Sequence, residues 1–120
     1  MTVGQLVIQY VNEEIRIGEY VTRQGLIQYV SNKLAEEAGL DPNKYYRFKN
    51  NYTTVDNYRR TLQLNHILSE SDGSGSYIKY HNIPEGITIH SLQNRIGNGN
   101  PLFRKGESSI METWMEIENF

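Results

Sequence analysis

Thr53-Thr54-Val55-Asp56-Asn57-Tyr58-Arg59-Arg60-Thr61-Leu62-Gln63-Leu64-Asn65-His66-Ile67-Leu68 is the stretch on which the reading of the fold turns. Val55, Tyr58 and Leu62 fall at i, i+3 and i+7, one apolar stripe of a helix. Thr53 is placed to be the N-cap, and Asp56 suits the positive end of the helix dipole. Thr54, Asn57, Arg60 and Thr61 occupy the other face. Such side chains hydrogen-bond base edges or phosphate oxygens when a helix end enters a major groove. Ile67-Leu68 then begins an apolar segment, Ser71 to Ser76 is rich in Gly and Ser, and Tyr77-Ile78-Lys79-Tyr80 is strand-like. The order is helix, strand, small-residue turn, strand.

Upstream, Val3, Leu6, Val7, Tyr10 and Val11 have the spacing of an amphipathic helix, predicted over residues 3–14. Ile15-Arg16-Ile17-Gly18 alternates apolar with polar and suggests a short strand turned by Gly18. Thr22 is the expected cap of a second helix with Leu26, Val30, Leu34 and Ala38 as its buried stripe. Gly39 stands where a left-handed C-terminal residue is expected, with Pro42 soon after. Gly25, in that helix's second turn, either costs helix stability or admits a close neighbour. Residues 40–52 allow two readings, a long turn or a short extra helix around residues 43–49. Downstream, Thr88 can cap a short helix through Ile89, Leu92 and Ile96, and residues 97–107 read as a loop. A last amphipathic helix is predicted at 108–120, with Ile110, Trp114 and Ile117 on one stripe.

A chain of 120 residues suits one domain, and 38% hydrophobic content with nine Tyr suits a soluble one. No run approaches the roughly 18 apolar residues of a membrane span. The absence of Cys removes disulfides and Cys-ligated metal, and fits a cytoplasmic location. The formal charge is −2, so bulk charge does not announce a nucleic acid. Its distribution says more: Lys44, Arg47, Lys49, Arg59 and Arg60 fall within 17 residues that hold one acid, Asp56. A basic patch on an acidic body is compatible with contact at one face, and equally with a solvated charge cluster.

Catalytic patterns are missing. His66, His81 and His90 have no metal-ligand spacing, and there is no G-x-S-x-G, P-loop or Cys nucleophile. Glu13-Glu14 and Glu36-Glu37 are adjacent pairs, which diverge on a helix. The expectation is a non-enzyme with no cofactor and no metal.

The Thr54-to-Leu62 stretch, T-V-x-x-Y-x-x-x-L, resembles the recognition helix of winged helix-turn-helix proteins, and the resemblance extends over residues 3–96. It implies an α+β, mostly α fold: a winged helix-turn-helix domain at 1–96 with a small β-wing, a loop at 97–107 and the C-terminal helix. It also implies sequence-selective binding of double-stranded DNA by a recognition helix at about 53–66, as in transcriptional control or plasmid and phage maintenance. Thr54, Asn57 and Arg60 would face the groove with Thr61, while Thr53 and Arg59 would lie nearer the phosphates. Thr22 and Arg23 open the preceding helix, Lys49 adds charge, and Ser74 and Lys79 would run along the backbone or minor groove from the wing. In small regulators of this kind the C-terminal helix often makes a homodimer, here through Ile110, Trp114 and Ile117; folding back on its own domain is the other outcome. Winged domains also dock proteins, so a non-catalytic interaction module or phage-encoded inhibitor is the alternative reading.

Overall fold

The structure is a computed structural model that describes residues 1–41 and 49–106, the side chains of 49–51 excepted. Its first helix, α1 (Val3–Gln9), starts at Thr2, whose side chain accepts from Gln5 N while the Gln5 side chain accepts from Thr2 N. This reciprocal cap satisfies two donors that a helix start otherwise leaves without partners. The helix runs on into a π-helical turn, Tyr10–Glu14. Leu6, Val7 and Val11 are fully buried, so the predicted 3–14 stripe is the one that faces the core.

β1 (Tyr20–Thr22) leads directly into α2 (Arg23–Ala38). Thr22 caps α2 by accepting from Gly25 N, and Gly39 closes it with φ 68°, both as expected. The close approach at Gly25 is also found: a Cβ there would stand 2.7 Å from Tyr10 Oη and 2.8 Å from Thr22 Oγ1. The buried stripe of α2 is displaced from the predicted one. Leu26, Ile27, Val30, Ser31 and Ala35 are buried, whereas Leu34 is half-buried and Ala38 exposed. The helix faces α1 and α3 together, and two neighbours rotate its inner face toward Ile27, Ser31 and Ala35.

The decisive stretch is helical as predicted, in α3 (Lys49–Leu64). Its start is corrected, since Thr53 lies one turn inside the helix and is no N-cap. Nothing between Lys49 and Tyr52 breaks a helix, and Tyr52, three residues before Val55, packs against the same core. Val55 and Leu62 are buried and Tyr58 is half-buried. The chain leaves α3 through His66, which adopts the left-handed conformation at φ 58°.

The strand expected at 15–18 is not formed: those residues are irregular and turn, and the strand here is β1, two residues further on. Gly18 does turn the chain, at φ 93°. β1 pairs antiparallel with β2 (Ser76–Ile78), Val21 opposite Tyr77, and Leu68 bridges to Lys79 just beyond β2. Between Leu68 and Ser76 lies the Gly/Ser loop. It is folded by short side-chain contacts: Ser71 Oγ accepts from Gly73 N, Asp72 Oδ1 from Ser74 N, and Ser74 Oγ from Ser76 N. The loop is fastened to α2 where Arg23 N donates to Gly75 O at 2.8 Å.

α4 (Ile89–Gly97) begins at Thr88, whose side chain accepts from Ser91 N. The segment before it is held by Asn12, which donates to Ile83 O and accepts from Ile83 N at 2.9 and 2.8 Å. The described residues therefore form a small, mostly helical α+β fold of four helices and one two-stranded antiparallel sheet. Among them no helix is long and apolar enough to cross a membrane. Tyr45, Tyr46, Arg47, Phe48 and the predicted helix at 108–120, with Ile110, Trp114 and Ile117, lie outside the described residues.

Candidate nucleic-acid interface

α3 presents one stripe to solvent. Thr53, Asn57, Arg60 and Leu64, at i, i+4, i+7 and i+11, are all exposed, while Val55 and Leu62 fix the opposite side in the core. An amide, a guanidinium and a hydroxyl thus stand on one ridge of a well-anchored helix. Asn pairs bidentately with adenine and Arg with guanine, so the ridge carries groups that can read base edges.

The other expected contact residues are placed differently. Thr54 is half-buried. Thr61 is 6% exposed, and its hydroxyl donates to Asn57 O at 3.0 Å. That corrects its expected position in the groove: one residue before Leu62, it is carried partly under the helix and is satisfied by its own backbone. Arg59 is also turned inward. Its side chain is 12% exposed, Nη1 donates to Asp56 Oδ1 at 3.0 Å, and its guanidinium lies 4.7 Å from the Tyr77 ring centroid.

The clearest correction is Lys79. Expected along the wing facing a phosphate backbone, it is 1% exposed, and its Nζ donates to Val11 O at 2.6 Å and Ile15 O at 2.7 Å. The alternation of β2 sends it inward to the end of the helical segment begun by α1, where carbonyls lack helical partners. Burial pushes its ammonium below the ordinary lysine value.

Thr22 and Ser74 are exposed, and both hydroxyls accept from local backbone N–H groups. Arg23 lies beside the Gly/Ser loop and is engaged: its Nε and Nη2 donate to Asp56 Oδ1 and Oδ2, both at 2.9 Å. At the loop tip the Ser74 hydrogen bonds hold the Asp72 carboxyl below its usual range, so a negative charge persists there. The Lys49 side chain lies outside the described side chains.

Asp56 and Tyr77 are site residues that the sequence did not single out as such. The Asp56–Arg59 pair, three apart on a helix, was visible as spacing. The Arg23–Asp56 contact joins residues 33 apart and has no local signal.

Among the described residues, no group of three or more His, Cys, Asp or Glu side chains gathers to hold a metal ion. A groove of about 980 Å³ runs between α1 and residues 83–93, with Ile8, Tyr58, Ile83, Pro84 and Ile87 on its walls. No family model matches the sequence, and neither the curated proteins nor the solved structures contain a significant match.

Proposed function

We propose that the chain is a small winged-helix regulator that binds duplex DNA sequence-selectively, through Asn57 and Arg60 in the major groove with Thr53 beside them. The observation that carries this reading is the exposed Thr53/Asn57/Arg60 ridge on a helix whose other face is buried. The element order is compatible with it: helix, strand, two helices, then a loop closed by a single Leu68–Lys79 bridge, which leads into β2 and touches the N-terminus of α2. The reading extends to a homodimer through Ile110, Trp114 and Ile117, which would set two α3 helices about 34 Å apart, one DNA turn. Transcriptional control or plasmid and phage maintenance in the cytoplasm would use such a protein. Arg23 is not counted among the binding groups, because Asp56 occupies its guanidinium.

Titration against random duplex DNA at several salt concentrations tests the reading. With four to six phosphates neutralised per protomer, log K falls against log[salt] with a slope of about −4 to −5. Arg60→Ala and Asn57→Ala are expected to abolish selective binding and leave the thermal midpoint nearly unchanged, since both side chains are exposed. A large drop in midpoint would make these residues structural. For the dimer, Trp114→Ala is expected to give a smaller species in sedimentation, and an unchanged mass would reject that interface.

Protein docking is the second reading, favoured by the apolar-walled groove beside α1. Absence of duplex binding at low salt would select it.

A further inference from the structure

The exposed ridge of α3 ends in a side chain that cannot hydrogen-bond at all. Leu64 is 50% exposed, one of four large apolar residues so exposed among the described ones. The other three, Met1, Tyr20 and Leu40, lie outside α3. A single exposed leucine is ordinary on a protein surface, so its position has to carry the weight. At 100° per residue, Thr53, Asn57, Arg60 and Leu64 fall within an arc of about 60°, with Leu64 between Asn57 and Arg60. Val55 and Leu62, 1% and 0% exposed, lie on the opposite side and fix which way that arc faces.

The spacing along the axis matters as well. At 1.5 Å per residue, Arg60 stands about 4.5 Å beyond Asn57, and Leu64 about 6 Å beyond Arg60. Successive base pairs of a duplex are about 3.4 Å apart, so the three side chains are spaced for contacts one to two base pairs apart along a groove. Asn57 and Arg60 bring donors and acceptors. Leu64 brings only hydrocarbon, and thymine alone among the four bases shows a methyl group on its major-groove edge.

We infer that Leu64 is a specificity-determining residue, which packs against the C5-methyl of a thymine about two base pairs from the pair met by Arg60. The inference rests on the duplex-binding reading and adds to it an apolar contact that neither Asn57 nor Arg60 can make. Contact of two apolar groups removes both from water, and it neutralises no phosphate. Leu64 therefore affects the choice of site and leaves the salt dependence alone.

The test starts from the duplex that the wild-type chain selects from a random pool. Each thymine of that site is replaced in turn by uracil, which deletes the methyl and keeps every hydrogen-bonding group. At one position the replacement is expected to weaken wild-type binding about fourfold, the effect of burying one carbon's worth of apolar surface. Leu64→Ala is expected to bind the thymine and uracil forms of that site equally, with the wild-type slope of log K against log[salt].

Uracil tolerated by wild type at every position overturns the inference, and that measurement needs no variant. So does a methyl effect that Leu64→Ala retains in full, which would assign the methyl to another side chain. A changed sedimenting mass in Leu64→Ala would place the leucine between copies of the chain and overturn it too. All three results leave site selection by Asn57 and Arg60 standing. Failure of wild type to bind any duplex at low salt is a different result, which overturns the duplex reading and this inference with it.

Discussion

Asn65→Ala is expected to destabilise the fold by about 2–5 kcal/mol, a large share of the roughly 5–15 kcal/mol that holds a domain folded. Asn65 is fully buried and connects three segments. Its Nδ2 donates to Thr61 O at 2.9 Å and to Leu92 O at 3.2 Å, and its Oδ1 accepts from Leu102 N at 2.9 Å. Thr61 O keeps a second donor, the Asn65 N–H at 3.2 Å, after truncation. Leu92 O keeps its place in the α4 ladder, whereas Leu102 N loses the acceptor that ties it to the end of α3, at about 1–3 kcal/mol for a buried group left unpaired. The cavity left by the amide adds to this. The main-chain bond from Phe103 N to Asn65 O survives, so residues 102–103 are loosened rather than released. The thermal midpoint of Asn65→Ala should fall by about 10 °C or more. A fall of only one or two degrees would mean that water replaces the amide and that the segment is fastened elsewhere.

Asn65 also marks where the sequence stops being legible. A helix cap engages a backbone N–H a few residues away, so Thr22 and Thr88 announce themselves locally, and Gly39 does so through the conformation only glycine adopts cheaply. Periodicity found the inward faces of α1 and α3, because each has a narrow, strongly apolar stripe. It misread α2, where Ser31 and Ala35 are buried and Ala38 is not. Small side chains fit a core wherever backbones approach closely, and that approach is decided by neighbours. The site divides in the same way. The exposed positions Thr53, Asn57 and Arg60 follow from helical geometry once Val55 and Leu62 point inward. The engagement of Arg23 and Arg59 with Asp56, the Arg59–Tyr77 contact and the inward turn of Lys79 all depend on partners that a window of sequence does not contain.

The strand near the first helix shows the same limit. Ile15-Arg16-Ile17 alternates as a strand does, yet β1 forms at Tyr20–Thr22, because pairing is decided on the other side by Ser76, Tyr77 and Ile78. Ile15 serves another purpose. Its carbonyl is taken by the Lys79 ammonium, and its extended backbone ends the helical segment. The turn through Gly18 then returns the chain to Lys79, whose carbonyl accepts from Gly18 N and whose N–H donates to Glu19 O. One residue of the β2 segment thereby fixes both the end of that helical segment and the approach of β1.

Lys79→Ala is accordingly expected to cost about 3–5 kcal/mol, since it removes the donors to Val11 O and Ile15 O and empties the volume of a long buried stem. Lys79→Met keeps most of that volume and removes the cost of burying a charge, so its loss should be smaller, about 1–3 kcal/mol. The ammonium sits at the carbonyl end of the helical segment that α1 begins and the π-helical turn ends, yet no described carboxylate pairs with it, and burial alone lowers its pKa from 10.5. The sign of the pH dependence follows. Between the lowered folded value and 10.5 the unfolded chain binds more protons than the folded one, so this group makes stability rise with pH across that window. A neutral amine still has two N–H donors for its two carbonyls, so deprotonation need not break the contacts. Tyr10 and Tyr29 act oppositely: burial, then Glu14, raises both above 10.0, and their contribution is lost as pH climbs through the folded values. That loss is common to wild type and Lys79→Met and cancels in their difference. Denaturant unfolding of the two proteins at a series of pH values should therefore show the wild-type advantage growing as pH approaches 10.5 from below. An advantage that stays flat would mean that the ammonium is hydrated in the folded protein, and an advantage that shrinks would require a buried anion beside it.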